Sequence, residues 1–279
     1  MNNLTELING IILIFKNFLR KIKDQKYYKL YPINPKHDDV YIVEYPRSGI
    51  TWLSTLIANV NLLTSNKNIQ ITLYNLHQYI PDIHTSLELN CEPSWSIPKY
   101  RFIKSHDVYN RKYNFIIYII RDPYRVMVSY YLFIKQLIGF KGTFDEFVRS
   151  PQYGIKAWLK HISSWLEKGP SNQKIHLIRY EDLMKQPFEE IKKIYENLGI
   201  LIDENDIRKS IDKSNLRNMK MTEEMHKIKN PNYSEFRFIG NGQDSYKTVM
   251  TQKSREYIYE NIKENNIYKK FYINNNLNI

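Results

Sequence analysis

Cysteine is almost missing from this chain: Cys91 stands alone among 279 residues. A lone cysteine excludes an intramolecular disulfide framework and any cysteine-based metal cluster. It fits a reducing compartment, and we expect a cytoplasmic protein. Membrane-spanning and export signals are missing too. The apolar stretch LINGIILIF (Leu7–Phe15) is too short to span a bilayer. The preceding MNNLTE carries no basic residue, and no small-residue cleavage site follows, so it does not read as a signal peptide. Internal repeats and long low-complexity segments are also absent. The breaks TSNKN (Thr64–Asn68), EPSWSIP (Glu92–Pro98) and EKGPSNQ (Glu167–Gln173) are short, and none reads as an interdomain linker.

What is present is apolar residues and positive charge. Hydrophobic residues make up 42% of the chain, enough for a substantial core, which excludes wholesale disorder. The net charge of +12 implies an anionic partner or simple solubility. Near the N-terminus, Leu4, Leu7, Ile8, Ile11, Phe15, Phe18, Leu19 and Ile22 recur at helical spacing, with Lys16, Arg20, Lys21 and Lys23 among and after them. We expect residues 1–30 to form a basic amphipathic helix docked on a single domain of residues 31–279. A weak membrane-surface role for this helix is the alternative.

The remaining pattern alternates. Apolar runs at Val40–Tyr45, Tyr100–Lys104 with Phe115–Ile120, and Ile175–Tyr180 read as buried strands. Helical patterns follow at Thr51–Leu63, Pro123–Leu137 and Phe188–Leu198. Further helices are expected at Phe144–Val148, Gly154–Glu167, Glu204–Lys213 and Gln252–Asn265. Alternating strands and helices predict an α/β fold with a mostly parallel central sheet flanked by helices. Ligands in such folds sit beyond the carboxyl ends of the strands.

VEYPRSGITWL (Val43–Leu53) lies at one of those ends. A strand–loop–helix corner offers unpaired N–H groups and the positive end of a helix dipole, which favour a phosphate. Gly49 allows close backbone approach, Arg47 adds a permanent charge, and Ser48 and Thr51 add hydroxyls. Trp52 offers a face for a base. The triphosphate loop G-x-x-x-x-G-K-[ST] is not matched, because its first glycine and its lysine are missing. The corner should therefore hold one phosphate group rather than a chain of them. Taken alone, these residues also fit an ordinary strand-to-helix turn with a core tryptophan.

Two other strand ends carry similar chemistry. In YIIRDPYRVMVSYYLF (Tyr118–Phe133), Arg121 ends a strand, Asp122 can cap a helix and Pro123 suits its first position. Ser129 lies about two helical turns on, so both can face one anion. In RFIKSHDV (Arg101–Val108), Lys104 and His106 have alternate spacing and can share a side. Histidine is the usual general base near neutral pH. His37, His77, His84, His161, His176 and His226 are read as structural or surface residues.

Together these segments resemble the sulfotransferase family that uses 3′-phosphoadenosine 5′-phosphosulfate (PAPS). YPRSGITW is similar to the family's 5′-phosphosulfate loop, YPKSGTTW, and RDPYRVMVSYYLF to its 3′-phosphate motif, R-N-P-x-D-x-x-V-S-Y-Y-x-F. FIKSH is similar to its K-T-H strand end, and IRYEDLMKQP to its Y-E-D-L segment. The likeness runs from about Tyr41 to Glu256 in the family's order.

The resemblance implies a role for each matching position. Arg47 stands where a lysine contacts the bridging oxygen and leaving phosphate. Ser48, Gly49, Ile50 and Thr51 form the phosphate cradle, and Trp52 stacks on adenine. Lys104 supports the sulfuryl group in flight, and His106 is the base on the acceptor hydroxyl or amine. Arg121 and Ser129 grip the 3′-phosphate, and Tyr180 touches the adenine. Ser214 and Leu216, in KSNLRNMK, fall where the family has an adenine-contacting Thr or Ser and a stacking Phe. The family's late R-K-G-x-x-G-x-W-K loop is blurred here to RFIGNGQDSYK, which leaves Arg237 for the 3′-phosphate and Gly240 beside it.

Three departures stand out. Arg47 replaces lysine, Leu216 cannot stack as Phe does, and Tyr246 takes the tryptophan's place. Lys247, Thr251 and Glu256 echo a dimerisation motif, K-x-x-x-T-V-x-x-x-E, with Gln252 for valine, so monomer and homodimer both stay open. The family implies in-line sulfuryl transfer from PAPS to a small-molecule acceptor, with adenosine 3′,5′-bisphosphate (PAP) as product and no metal or nucleic acid. The rival reading is a nucleotide-dependent phosphotransferase with an atypical phosphate loop, which predicts ATP and Mg²⁺ dependence.

The acceptor should lie among the loops Leu73–Lys99, Lys135–Gly154 and Lys220–Ser234. They mix Tyr74, Tyr79, Trp95, Phe140, Tyr153 and Tyr233 with Asp82, Glu88, Glu92, Asp145, Glu146, Glu223 and Glu224. That mixture suits a polar or cationic natural product.

Overall fold

The structure, a computed structural model, describes residues 36–83, 100–167, 174–229, 239 and 244–273. The expected amphipathic helix within residues 1–30 lies outside them, as do Arg237 and Gly240.

The chain forms β1 (Asp39–Glu44), α1 (Ile50–Thr64), β2 (Arg101–Ser105), β3 (Phe115–Ile120), α2 (Pro123–Ile138), α3 (Phe144–Arg149), α4 (Ile155–Leu166) and β4 (Lys174–Arg179). Then follow α5 (Tyr180–Lys185), α6 (Pro187–Asn197), α7 (Glu204–Lys213), α8 (Leu216–Lys229), α9 (Asp244–Val249), α10 (Gln252–Ile262) and α11 (Asn266–Tyr268). The four strands form one sheet in the order β2-β1-β3-β4, and every pair is parallel. The α/β architecture expected from the alternating pattern is the one observed.

Each face of the sheet has its own core. Side chains alternate along a strand, so Tyr41 and Val43 face one layer while Val40 and Ile42 face the other. The first layer holds α2, α3, α4 and α10, with Trp158, Trp165 and Phe147 at its centre. The second holds α1, α6 and α7, with Leu53, Leu56, Ile57 and Ile191. Burial on both faces explains why the strands read as unbroken apolar runs.

Strand order positions the site. From β1 the chain crosses to β2 on one side and then to β3 on the other, so the carboxyl end of β1 is the switch point where a crevice opens. The register aligns the strand ends: Val43 pairs with both Ser105 and Tyr118, and Ile120 with Arg179. The residues just beyond those ends are Arg47, His106, Arg121 and Tyr180.

Packing fixes the helix that leaves the corner. Leu53, Leu56, Ile57 and Val60 of α1 are fully buried. Each such side chain contributes roughly 1.5–3 kcal/mol, against about 1 kcal/mol for one hydrogen bond in the loop. Core contacts, rather than the loop's own bonds, therefore hold the start of α1 in place.

Candidate active site

The corner between β1 and α1 is a tight turn with two left-handed residues, Arg47 at φ 75° and Gly49 at φ 121°. A side chain at Gly49 would be strained and would overlap the Tyr180 ring, so this turn needs glycine twice over. Arg47 bears a Cβ in the same region, a costly conformation for a non-glycine residue. A carboxylate beneath the loop holds it there. Glu44, only 2% exposed, accepts the Arg47 amide (3.1 Å) and the Ile50 amide (2.7 Å). The Ser48 amide and hydroxyl both donate to the Tyr45 carbonyl, at 3.2 and 2.8 Å. Of the expected cradle, this leaves the Gly49 and Thr51 amides without a partner among the described residues.

Positive charge converges on the same place. Arg47 Nε donates to Ser129 Oγ (3.2 Å), and its guanidinium lies over the Phe133 ring, 4.7 Å from the centroid. Arg121 donates from a terminal nitrogen to the Arg47 carbonyl (3.0 Å) and stacks over Tyr180 at 4.4 Å. Burial brings the Arg47 pKa down to about 10, with Glu44 opposing and Arg121 adding to the drop. Arg47 still carries its charge at neutral pH. Arg121 Nε is buried and has no hydrogen-bond partner among the described residues. Two guanidiniums near enough to influence each other's charge, an orphaned buried donor and two unpaired amides form a site suited to phosphate-type anions.

Aromatic and polar groups frame it. Trp52 and Tyr180 meet edge to face, with centroids 6.1 Å apart. Trp52 Nε1 donates to the Ser214 carbonyl (2.9 Å), and Asn59 donates to the Ser214 hydroxyl (2.9 Å). Ser214 is wholly buried at the end of α7, so it bears on the site through Trp52. Leu216, 54% exposed, begins α8. On α8, buried Glu223 faces Arg47 electrostatically and accepts the Ile239 amide at 3.4 Å.

His106 follows β2 directly. The β1–β2 register, continued by one residue, sets it beside Glu44. Its Nδ1 lies 3.3 Å from the Glu44 carbonyl oxygen and 3.9 Å from Glu44 Oε1. Neighbouring bonds fix its backbone: the Asp107 amide donates to Ser105 Oγ, Tyr113 donates to the Asp107 carboxylate, and Trp165 Nε1 donates to the Asp107 carbonyl. Lys104, half-buried, is bridged on both sides of its peptide to Pro81 and Ile83.

Sequence reading missed Glu44, although a carboxylate ending an apolar strand is a signal, since burying one is costly without partners. The acidic loop residues are also redistributed. Asp145 accepts from Ser254 (2.7 Å), and Glu146 completes a capping box with Thr143. Tyr153 stacks on Phe147 in the core. Asp145 and Glu146 thus serve the scaffold rather than an acceptor pocket. Trp95, Glu88, Glu92 and Tyr233 lie outside the described residues.

The family model described as "Sulfotransferase domain" matches residues 37–270. The chain belongs to the sulfotransferase family. Human sulfotransferase 1C2 is 25% identical over 202 residues, covering 66% of this sulfotransferase and 67% of that protein. Mouse sulfotransferase 1 family member D1 is 30% identical over 196 residues, covering 66% of each chain. Among solved structures, mouse sulfotransferase SULT7A1 complexed with PAP matches at a TM-score of 0.58 and 19% identity, covering 85% of this chain and 88% of that one. Retinol dehydratase in a complex with retinol and PAP matches at 0.59 and 17%, covering 89% and 85%. These structural likenesses establish the sulfotransferase fold. No helix among the described residues is long and apolar enough to cross a membrane.

Proposed function

We propose that this sulfotransferase moves a sulfuryl group from PAPS to a hydroxyl or amine of a small-molecule acceptor, with His106 as base. The observation that carries this reading is the convergence of Arg47, Arg121 and His106 on the switch point of the sheet. When bound, PAPS supplies a sulfuryl group whose S–O bond breaks with its electron pair leaving on the 5′-phosphate.

The chain's residues act around that event. The Gly49 and Thr51 amides and Arg47 hold the 5′ end, where negative charge grows. They act by fixed electrostatics in a partly desolvated site. Arg121 and Ser129 hold the 3′-phosphate, and the orphaned Arg121 Nε supports this role. Trp52 and Tyr180 flank the adenine, with Ser214 steadying Trp52. Arg237 and Gly240 complete the 3′ side, and Leu216 covers the base less fully than a phenylalanine. Lys104 steadies the transferring group. His106 takes the proton of the acceptor hydroxyl or amine as that oxygen or nitrogen bonds to sulfur.

With Asp145 and Glu146 committed to the scaffold, the case for a cationic acceptor rests, among the described loop residues, on Asp82, paired through its backbone with Lys104, on Glu223, facing Arg47, and on the exposed Glu224. The test is His106→Ala. PAP affinity should stay near wild type while kcat, measured as transfer of labelled sulfuryl from PAPS, falls on the order of 10²–10⁴-fold. Undiminished turnover would remove His106 from the chemistry.

A further inference from the structure

Glu44 is the buried charge that the family assignment leaves without a role. Its main chain and its side chain both face His106. The carbonyl oxygen is 3.3 Å from His106 Nδ1, and Oε1 is 3.9 Å from the same nitrogen. A carbonyl can only accept, so this hydrogen bond requires a proton on Nδ1. In the neutral ring the lone pair then sits on Nε2.

We infer that Glu44 is a positioning residue for His106: its carbonyl fixes the ring's tautomer, and its carboxylate stabilises the imidazolium formed when the acceptor's proton is taken. The inference rests on His106 acting as the base. The same carboxylate holds the Arg47 and Ile50 amides, so one group couples the phosphate loop to the proton acceptor.

The surrounding charges are compatible with this role. Arg47 from the loop faces Glu44, as does Tyr118 from β3. Burial raises the Tyr118 phenol, which stays neutral. His161 from α4 faces His106, and burial brings its pKa down to about 3, so it too is neutral. Lys104 and Asp107 flank His106 on its own stretch of chain, with Asp107 bonded to Tyr113. Burial pushes the Glu44 carboxyl up, and His106, the Ile50 amide and Arg47 offset only part of that rise.

The test is Glu44→Gln, which keeps an oxygen for one of the two loop amides, turns an NH2 toward the other and removes the charge. PAP affinity should stay within about fivefold of wild type. Without the carboxylate the imidazolium loses its counter-charge, so the acid limb of the kcat/KM profile should move to lower pH. The plateau kcat should fall roughly tenfold. An acid limb that stays in place overturns the inference, whatever happens to kcat.

If the variant does not fold or bind PAP, ¹⁵N-histidine spectra of the wild-type protein with PAP decide the matter. His106, identified by its missing signals in His106→Ala, should be protonated at Nδ1 when neutral. A proton on Nε2 overturns the inference. An active His106→Ala sinks the base assignment itself. An inactive one with an unmoved Glu44→Gln profile sinks only the role of Glu44.

Discussion

Strand β1 carries a buried carboxylate at each end, and the two are handled differently. Asp39, with no exposed surface, accepts from Arg101 Nε (2.7 Å), from a terminal nitrogen of Arg101 (2.8 Å), from the Lys36 amide (2.8 Å) and from Tyr41 (3.3 Å). That pairing clamps β2 to β1 at the amino edge of the sheet. Glu44 instead accepts two loop amides and stands near Arg47 and His106. Its partners are themselves site residues. The same chemical group is spent on stability at one end of the strand and on arranging reactive groups at the other. In a parallel sheet, only the carboxyl edge leads into the ligand crevice.

Three experiments put pressure on that contrast. The largest expected effect is at the amino edge. Asp39→Ala leaves Arg101 buried without its partner and should lower unfolding free energy by about 3–5 kcal/mol in a urea titration. PAP affinity of the folded fraction should not change; if it weakens, the two ends are not separable.

A smaller, graded effect belongs to His161, buried under the site and bonded through Nδ1 to Tyr118 at 2.8 Å. Its pKa is lowered from 6.5 to about 3 by burial. The unfolded chain therefore binds a proton that the folded one refuses. Stability should be intact above about pH 6.5 and fall by about 1.4 kcal/mol per unit as pH drops toward 3. Urea unfolding at pH 7 and pH 5 should differ by about 2 kcal/mol from this residue. His161→Gln should flatten that slope, and an unchanged slope would assign the acid sensitivity elsewhere.

The smallest effect lies at the carboxyl edge. Ser129→Ala removes the acceptor of Arg47 Nε, worth about 1 kcal/mol. Calorimetry should show PAP binding weakened by roughly fivefold. Unfolding free energy should fall by no more than about 1 kcal/mol, the worth of that one bond. A large stability loss would make Ser129 part of the scaffold instead.

Much of the fold was legible because strands buried on both faces leave unbroken runs such as FIIYII, and because Asp122 and Pro123 mark a helix start that the structure reproduces. Strand ends shifted by a residue where a turn took over: Tyr45 enters the loop, and Tyr180 opens α5. α8 was illegible, since its Met221, Met225 and Ile228 are exposed while Thr222, Glu223 and Lys227 are buried, the reverse of an amphipathic pattern. Motifs located the candidate site, but its contacts were beyond them. Arg47 meets Ser129 across 82 positions, and Arg121 meets the Arg47 carbonyl across 74. Glu44 has no motif of its own, and its role follows only from the register that sets His106 beside it.

The claim at the centre is that the carboxyl edge of this sheet is built for PAPS. Thermal unfolding of the wild-type protein with saturating PAP, compared with ATP and Mg²⁺ at equal concentration, tests it most directly. The account predicts a clearly larger rise in melting temperature with PAP. A larger rise with ATP and Mg²⁺ would contradict it and favour a phosphotransferase.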